Sequence, residues 1–469
     1  MNKITLKHLI IIFAVGISSA AAAQISTQGR TVFGRPLKSI NPSNGLVRCV
    51  TDEYEESLQE QNPERLNNAQ FEQWIAPQVE AAKARILASR NGAGTDAVVT
   101  IPVVVHVIHN GDALGVNENI SDARVLSQIT VLNQDFRRLA GTPGFNSNAV
   151  GADVEIQFCL AQRKPDGTTT NGINRVNLGV AQWSTRASVE TNLKPTTQWD
   201  PTKYFNIWVA QFSSNASAEL GGVLGYAQFP SSSGLPGMPP NGSAATDGVI
   251  IDWRCFGSAA IAPGNYNGPY NQGRTATHEI GHCFGLRHIW GDAGSQPSNL
   301  NCNGTDYCND TPNAGWENYD CLDTYDSCTD PGVDMVENYM DYTDDVCMNI
   351  FTLDQKARIQ AVLLNSPRRN TLATSNACSP PLSTTSFEQL QGLKLYPNPA
   401  TDILNISIAD SSQLPDSYTV YNALGQILQQ TKVVAESSLI VNTSGYASGI
   451  YIIRVVKDNQ AKTLQFIKK

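Results

Sequence analysis

The sequence predicts an α+β protein that ends in a separate, small all-β domain. An apolar run over residues 98–108 indicates a buried strand, and residues 121–138 have apolar positions at helical spacing. From residue 393 onward the pattern changes to short alternating runs separated by turn residues, which is typical of a β-sandwich. A chain of 469 residues is too long for one ordinary core, so two or more domains are expected.

The N-terminal residues 1–23 have the features of a secretory signal peptide. Lysines at positions 3 and 7 precede an apolar run over residues 9–17, and small residues follow up to Ala23. A membrane anchor would need about 18 apolar residues, and the sequence contains no run of that length. We therefore expect an exported protein without a transmembrane segment.

Residues 24–95 are predicted to be a propeptide. The part from 59 to 88 is rich in Gln, Glu, Asn and Ala and predicts a helix. Residues 89–96 are small and polar, and such a stretch suits proteolytic release. The catalytic domain is expected to follow, over residues 96–378.

That domain is predicted to contain several further strands and two framing helices. Ser121 is the predicted N-cap of the first helix, and residues 352–364 form the closing helix. The strands are predicted at residues 154–160, 204–212, 220–229 and 248–253. The glycine-rich strand at 220–229 could pair with an extended peptide, although an ordinary edge strand is the alternative. His106 belongs to the first strand and His109 follows it directly; a strand histidine is more often a core residue than a ligand, and neither is assigned to a metal.

One stretch, which begins at His278, has the pattern H-E-x-x-H-x-x-G-x-x-H. His278 and His282 are one helical turn apart, so both imidazoles can bind one metal ion, with Glu279 beside them as a general base. A continued helix would place His288 on the wrong face. The helix must therefore end, and Gly285 is suited to end it. Three histidines leave one tetrahedral position of a zinc ion open, which indicates a catalytic site.

Met340 lies in a second short motif further along the chain. H-E-x-x-H alone arises by chance in helices, but its combination with Gly285, His288 and this methionine matches the signature of the metzincins. Residues 98–378 resemble the pappalysin family of metzincins. The stretches that carry this resemblance are residues 286–292, 310–312 and 338–348.

The resemblance implies a zinc endopeptidase with a mixed twisted sheet, an active-site helix and two subdomains about a cleft. Met340 is implied to form an apolar floor under the zinc. Tyr342 is implied to help stabilise the oxyanion through its hydroxyl, although simple packing would also explain it. Asp345 is implied to lie at the base of the pocket for the residue after the cleaved bond. A carboxylate there would select arginine or lysine.

Cys49 is the only cysteine of the predicted propeptide, and it follows Arg48. A thiolate is a good zinc ligand, so Cys49 could occupy the fourth position until the propeptide is removed. The Arg-Cys context resembles the cysteine-switch segments of metzincin zymogens. A structural or disulfide-bonded cysteine is the alternative.

The ten cysteines of an exported chain indicate disulfides. The pairs implied by the resemblance are Cys302 with Cys328 and Cys321 with Cys347. Cys283 and Cys308 depart from the family pattern. A bridge between these two would explain both, and a free Cys283 is the alternative. Cys159, Cys255 and Cys378 have no assigned partner.

The loop over residues 306–311 resembles the calcium-binding loop of the family. It brings hard oxygen donors close together, as calcium requires. Asp306 and Thr311 are the residues we assign to this ion, and a plain Asx-rich turn is the alternative.

The C-terminal residues 393–469 follow a Ser, Thr and Pro-rich linker at 379–392. Their short motifs at residues 395–399, 421–425 and 449–451 closely resemble the sorting domain of the type IX secretion system. The resemblance implies export across the outer membrane, with the secretion machinery as a partner. A carbohydrate-binding module is the rival interpretation, but no aromatic cluster supports it.

The net charge of −9 and the absence of a dense Lys/Arg run argue against nucleic acid as a partner. The sequence therefore predicts a secreted zinc endopeptidase that is made as a zymogen, with proteins or peptides as substrates. The alternative is a non-catalytic surface adhesin that has kept the metzincin shell. Glu279 discriminates between them, because a binding protein has no need of a general base.

Overall fold

The structure is a computed structural model, and it divides the chain into two compact units, residues 1–381 and 382–469. The residues that it describes are 27, 29–90, 97–231, 244–296, 298–381, 392–408, 414–457 and 460–469. The predicted signal peptide, most of the predicted cleavage stretch and most of the predicted linker lie outside these residues.

The N-terminal segment packs within the first unit and forms two helices. It begins with a short hairpin of β1 (Thr31–Val32) and β2 (Arg35–Pro36), followed by α1 (Thr51–Gln61) and α2 (Asn68–Arg90). The prediction of one helix over residues 59–88 is wrong, because residues 62–67 separate α1 from α2. Pro63 lies in this break, and a proline disfavours helical conformation in the residue before it.

The rest of the first unit, from residue 97 to residue 381, is called the catalytic unit. It is built on a six-stranded mixed sheet. Its strands are β3 (Val99–His109), β4 (Ile156–Leu160), β5 (Ile173–Asn177), β6 (Phe205–Ala210), β7 (Gly225–Ala227) and β8 (Val249–Asp252). The order is β4-β3-β6-β8-β7. Strand β5 pairs with the second half of β3, on residues 105–109, whereas β4 pairs with the first half, on residues 99–103. All neighbours are parallel except β7, which is antiparallel to β8 and forms one edge.

The helices cover both faces of this sheet. They are α3 (Asp122–Phe136), α4 (Arg186–Ser188), α5 (Lys194–Thr197), α6 (Arg274–Cys283), α7 (Leu353–Asn365) and α8 (Arg369–Leu372), with a π-helix over Val189–Leu193 and a 3-10 turn over Trp253–Cys255. Ser121 caps α3, as predicted, and its side chain accepts a hydrogen bond from the Arg124 backbone. His106 lies in the core, stacked on Trp208, and is no part of the metal site.

The predicted strand at 220–229 is shorter than expected. Only Gly225–Ala227 pairs with β8, although the chain just before it also pairs with the N-terminal segment. Val47 and Val223 form a parallel bridge, with hydrogen bonds of 2.9 Å from Val47 N to the Gly222 carbonyl and from Leu224 N to the Val47 carbonyl. The edge beside the metal helix is therefore already covered by the chain's own N-terminal segment.

The second unit is all β. Its strands are β9 (Lys394–Tyr396), β10 (Ile403–Ser407), β11 (Ser417–Asn422), β12 (Ile427–Lys432), β13 (Ile440–Asn442), β14 (Gly449–Lys457) and β15 (Gln460–Lys468). They form a three-stranded sheet, β13-β10-β9, and a four-stranded sheet, β12-β11-β14-β15. Side chains from both sheets share one core, as in a β-sandwich. Among the described residues, no helix is long and apolar enough to span a membrane.

Candidate metal centre

Helix α6 presents two histidines on one face and then ends sharply. Gly285 has φ +86°, and its N–H donates to the His282 carbonyl at 2.9 Å. The N–H of Leu286 donates to the Gly281 carbonyl at 3.0 Å, so the helix closes in a Schellman motif. The chain turns at the predicted glycine, and His288 returns to the other two histidines.

The Nε2 atoms of the three histidines converge. The distances are 3.2 Å between His278 and His282, 3.0 Å between His282 and His288, and 3.3 Å between His278 and His288. Each Nδ1 atom faces an acceptor, since His278 contacts the Tyr339 carbonyl at 2.7 Å and His282 contacts the Leu286 carbonyl at 2.8 Å. The Nδ1 of His288 contacts the Asp292 carboxylate at 2.6 Å. A carbonyl or carboxylate requires a proton on Nδ1, so the neutral imidazoles point three Nε2 lone pairs at one another.

This donor set fits a zinc ion. Nitrogens that bind zinc at tetrahedral corners lie about 3.3 Å apart, close to the observed separations. Burial lowers the pKa of His278 well below its ordinary value and that of His282 to about 3, so both rings are neutral. Burial also opposes charge on His288, but Asp292 outweighs it and raises the pKa of this ring. Three buried Nε2 atoms that converge on one point suit a cation, which would take the place of an Nε2 proton on His288.

Cys49 lies at the same point. Its Sγ and the three Nε2 atoms all lie within 4.8 Å of one another. Burial and the neighbouring Glu279 raise the pKa of this thiol to about 12, so it needs a cation beside it to lose its proton. Thr51 N donates to the sulfur at 3.3 Å, which fixes its position.

Glu279 is fully buried beside the histidines. Its Oε2 accepts hydrogen bonds from Thr51 Oγ1 at 2.8 Å and from Cys49 Sγ at 3.4 Å. Its Oε1 has no hydrogen-bond partner in the described part of the chain. Burial raises the pKa of this carboxyl to about 7. One carboxylate oxygen is therefore free for a further donor.

Met340 packs against the histidine helix at Gly281, and Tyr342 packs against His288. A Cβ at Gly281, in the middle of the histidine helix, would meet Met340 Sδ at 2.5 Å, so this glycine permits the close approach of the thioether. The ring of Tyr342 packs edge-on against His288 at 4.8 Å. Its hydroxyl contacts the Cys49 carbonyl at 3.4 Å, and so points towards the N-terminal segment.

Asp345 is buried against Arg48 of the N-terminal segment. Arg48 Nη1 is 3.2 Å from Asp345 Oδ1, and both side chains are fully buried. Thr275 Oγ1 accepts a second hydrogen bond at 2.7 Å, and the guanidinium lies 4.7 Å from the ring centre of Tyr270. The other oxygen of Asp345 accepts the backbone N–H of Gln272 at 2.8 Å. The carboxylate is thus rigidly held with one face towards the arginine.

Asp292 is a site residue whose role the sequence did not reveal. It lies in the stretch that carries the family resemblance, four residues after His288, and adopts φ +59°. A non-glycine residue seldom takes that conformation. Here it aims the carboxylate at His288 Nδ1, the arrangement that orients a metal-binding imidazole.

Replacing Asp292 with asparagine is expected to lower the zinc affinity of the chain by about 10- to 100-fold. The amide keeps an acceptor for His288 but removes the charge that makes its ring a strong donor. Competition with a chromogenic chelator measures the change, and Asp323→Asn, at an exposed position, is the matched control. Equal affinity of Asp292→Asn and the unchanged chain would contradict this role.

The disulfides agree only in part with expectation. The structure contains Cys302–Cys328 and Cys321–Cys347, the two pairs implied by the resemblance, together with Cys159–Cys378. The suggested bridge between Cys283 and Cys308 is wrong, because both are free and buried. Cys283 faces the sheet, 3.3 Å from the Gln228 carbonyl, whereas Cys308 lies in the loop beside Asp306.

The assignment of calcium to Asp306 and Thr311 stays a prediction. The Oδ2 of Asp306 accepts Thr311 Oγ1 at 2.8 Å, and its Oδ1 accepts the Cys308 N–H at 3.0 Å. Within the described residues, the groups of His, Cys, Asp and Glu side chains that are close enough to hold a metal ion do not include Asp306. Its contacts are those of an Asx-type turn.

The chain is similar to known protein families and to secreted metalloproteases. Residues 190–364 match the model of the pregnancy-associated plasma protein-A peptidase family, and residues 394–469 match the secretion system C-terminal sorting domain. The extracellular metalloprotease of Arthroderma otae is 32% identical over 263 residues, which are 56% of this chain and 77% of that protein. The one of Pyricularia oryzae is 32% identical over 288 residues, 61% of this chain and 80% of that protein.

A solved structure of a promirolysin mutant from Tannerella forsythia is also similar. It is 33% identical with a TM-score of 0.52, over 70% of this chain and 97% of that one. The fold and the converging histidines thus define a secreted zinc metalloprotease of the metzincin type. Within this class, the chain belongs to the pappalysin family, the peptidase family of pregnancy-associated plasma protein-A. Its C-terminal unit is a sorting domain for type IX export.

Proposed function

We propose that this protein is an endopeptidase made as a zymogen, in which the N-terminal segment blocks a zinc site with Cys49 and a specificity pocket with Arg48. Removal of the segment then yields an enzyme that cleaves before arginine or lysine. The observation that carries the proposal is that, of two successive residues of one segment, Arg48 contacts Asp345 and Cys49 lies beside the three histidines. The similar solved structure is that of a promirolysin, a pro-form, which agrees with this proposal.

His278, His282 and His288 are the residues that would hold the zinc. When bound, zinc supplies Lewis-acid polarisation of the scissile carbonyl and makes water a better nucleophile near neutral pH. The chain's own part in the proton transfer belongs to Glu279. Its unpartnered Oε1 accepts the proton of the attacking water, and the carboxyl then donates that proton to the leaving amine.

Tyr342 is proposed to act after the N-terminal segment leaves. In the structure its hydroxyl is 3.4 Å from the Cys49 carbonyl. Removal of Cys49 would free this O–H donor beside the histidines, where negative charge develops on the substrate carbonyl. A donor aimed at that oxygen stabilises the transition state more than the ground state. Met340 remains a packing residue under the site.

The proposed block acts on the metal and on the base together. Cys49 places its sulfur beside the three histidines, where it would be the fourth donor to a bound zinc ion, and Thr51 occupies Glu279 through a 2.8 Å hydrogen bond. Ala227 N also donates to Thr51 Oγ1 at 2.9 Å, so the segment is tied to the edge strand of the sheet. We name residues 47–61 the latch, because they contain these contacts and the whole of α1.

The proposed specificity follows from the contents of the pocket. Arg48 satisfies Asp345 with a charge-assisted contact at 3.2 Å and lies against the Tyr270 ring. When the latch leaves, Asp345 and Thr275 keep their positions because backbone N–H groups and α6 hold them. A substrate arginine can then form the contacts that Arg48 forms now. The sorting domain is proposed to engage the outer-membrane secretion machinery.

Replacing Cys49 with serine is expected to raise peptide hydrolysis by the full-length chain by about tenfold or more, because a hydroxyl is a much weaker zinc ligand than a thiolate. The assay compares full-length variants on a quenched fluorescent peptide containing arginine. Cys255→Ser is the matched control, since Cys255 is also a free, buried cysteine but lies outside the metal group. A Cys49→Ser chain that binds zinc and stays as silent as the unchanged chain would refute the latch.

A further inference from the structure

The second helix of the N-terminal segment does not touch the metal site. Helix α2 packs against α7 on the catalytic unit through a stripe of buried residues at helical spacing. The stripe is Phe71, Ile75, Val79, Ala82 and Ile86, and it faces Phe229, Ala357, Ala361 and Val362. The rings of Phe71 and Phe229 meet edge-on at 5.1 Å.

A buried ion cluster joins this stripe to the back of the metal motif. Glu72 binds Arg358 with both oxygens, at 2.8 and 3.0 Å, and binds Arg287 Nε at 2.8 Å. The side chains of all three are at most 8% exposed. Arg287 directly precedes the zinc ligand His288, and Arg358 donates to the Gly285 carbonyl at 3.0 Å. One carboxylate therefore pairs with two arginines that lie beside the turn of the metal motif.

Residues 62–67 connect the latch to α2, and Gln59 Nε2 of the latch also donates to Asn68 Oδ1 of α2 at 3.1 Å. Pro63, Glu64 and Asn67 are exposed in this connection. Exposed polar loops are preferred sites of proteolytic cleavage. The two helices also depend on different surfaces, since α1 packs at the edge strand β7 and α2 packs on α7.

We propose that α2 is an independent anchor, a helix that stays bound to the catalytic unit after the chain is cut. A cut between residues 91 and 96 then leaves the enzyme latent, because α2 still holds the latch at the site. Activation requires a second cut within residues 62–67, which frees the latch and leaves α2 as a non-covalent subunit of the active enzyme. The proposal rests on the latency proposed above.

The charge pattern on the two surfaces supports retention of α2. Dissociation would expose the apolar face around Phe229 and separate Glu72 from two arginines at once. The Arg287 guanidinium also lies 4.7 Å from the ring centre of Phe229, so the ionic and apolar contacts form one surface. Lys83 adds an ion pair with Asp354 at 2.8 Å, near the other end of the helix. Bound α2 also keeps Arg287, the neighbour of His288, in place.

The test uses the full chain with a recognition sequence for a site-specific protease placed in residues 91–96, in residues 62–67, or in both. Gel filtration in a Glu279→Gln background measures retention of α2 without self-cleavage, and peptide hydrolysis is measured in the active chain. After the first cut, the N-terminal fragment is expected to co-elute with the enzyme and activity to stay at the uncut level. After both cuts, α2 is expected to co-elute while activity rises.

Release of the fragment after the first cut, or loss of α2 after both cuts, would overturn the anchor. An uncut chain as active as the doubly cut one would instead refute latency, and co-elution would still decide whether α2 is an anchor.

Glu72→Gln is expected to weaken retention of the cut fragment by about tenfold or more, because charge-assisted hydrogen bonds to both arginines are lost. Glu80→Gln, on the exposed face of the same helix, is the matched control and should leave retention unchanged. Equal retention in the two variants would contradict the role of the ion cluster. The cuts in the otherwise unchanged chain decide the proposal even if Glu72→Gln fails to fold.

Discussion

Replacing Glu279 with glutamine is expected to lower kcat/KM of the activated enzyme by about 10²- to 10⁴-fold. Glutamine has nearly the same shape and keeps one oxygen acceptor for a donor at the position of Thr51 Oγ1. It cannot take up a proton, so the attacking water loses its base and the leaving amine loses its acid. The measurement is steady-state hydrolysis of an arginine-containing peptide.

Zinc content is the control for this variant. The three Nε2 atoms, and not the Glu279 carboxylate, form the donor set, so Glu279→Gln should bind as much zinc as the unchanged chain. A variant that keeps activity within about tenfold would show that another group is the base. A variant that loses its zinc would show that Glu279 holds the metal site together.

Replacing Asp345 with asparagine is expected to remove most of the preference for arginine. The loss of a charge-assisted contact corresponds to about a 10- to 100-fold lower kcat/KM on arginine peptides, with little change on peptides that carry leucine at the same position. The ratio of the two rates is the informative quantity, because a general loss of fold would lower both. The full-length variant should also be less tightly latent, since Arg48 loses the same partner.

Asp344→Asn is the matched control for specificity. Asp344 is the preceding residue and carries the same charge, but it is only half-buried, and the Arg48 contact belongs to Asp345. Its arginine-to-leucine ratio should equal that of the unchanged enzyme. A preference for arginine that survives in Asp345→Asn would place the specificity pocket elsewhere.

The sequence predicts the metal helix well because its constraints are local. A helix with histidines one turn apart and a glycine that must end it leaves few conformations, and the structure ends α6 at that glycine. The strand β3 and the capped helices α3 and α7 follow from equally local patterns. The single predicted helix at 59–88 failed where Pro63 outweighed a favourable composition.

The ion pairs between distant segments are what the sequence did not reveal. Arg48 and Asp345 are 297 residues apart, and Glu72 and Arg358 are 286 residues apart. No periodicity connects such positions, and each residue alone is consistent with a solvated charge. Cys283 and Cys308 illustrate the opposite error. These two unusual cysteines suggested a disulfide, but Cys283 lies at the sheet and Cys308 lies in its own loop, and both are free.

The most direct test of the account is the cleavage-site profile of a peptide library, measured by mass spectrometry for the intact chain and for the chain freed of the residues before 97. The intact chain is expected to be silent, and the freed chain, loaded with zinc, is expected to cleave before arginine and lysine. Comparable cleavage by the intact chain would contradict the block by Cys49 and Arg48. Cleavage by the freed chain without regard to basic residues would contradict the Asp345 pocket.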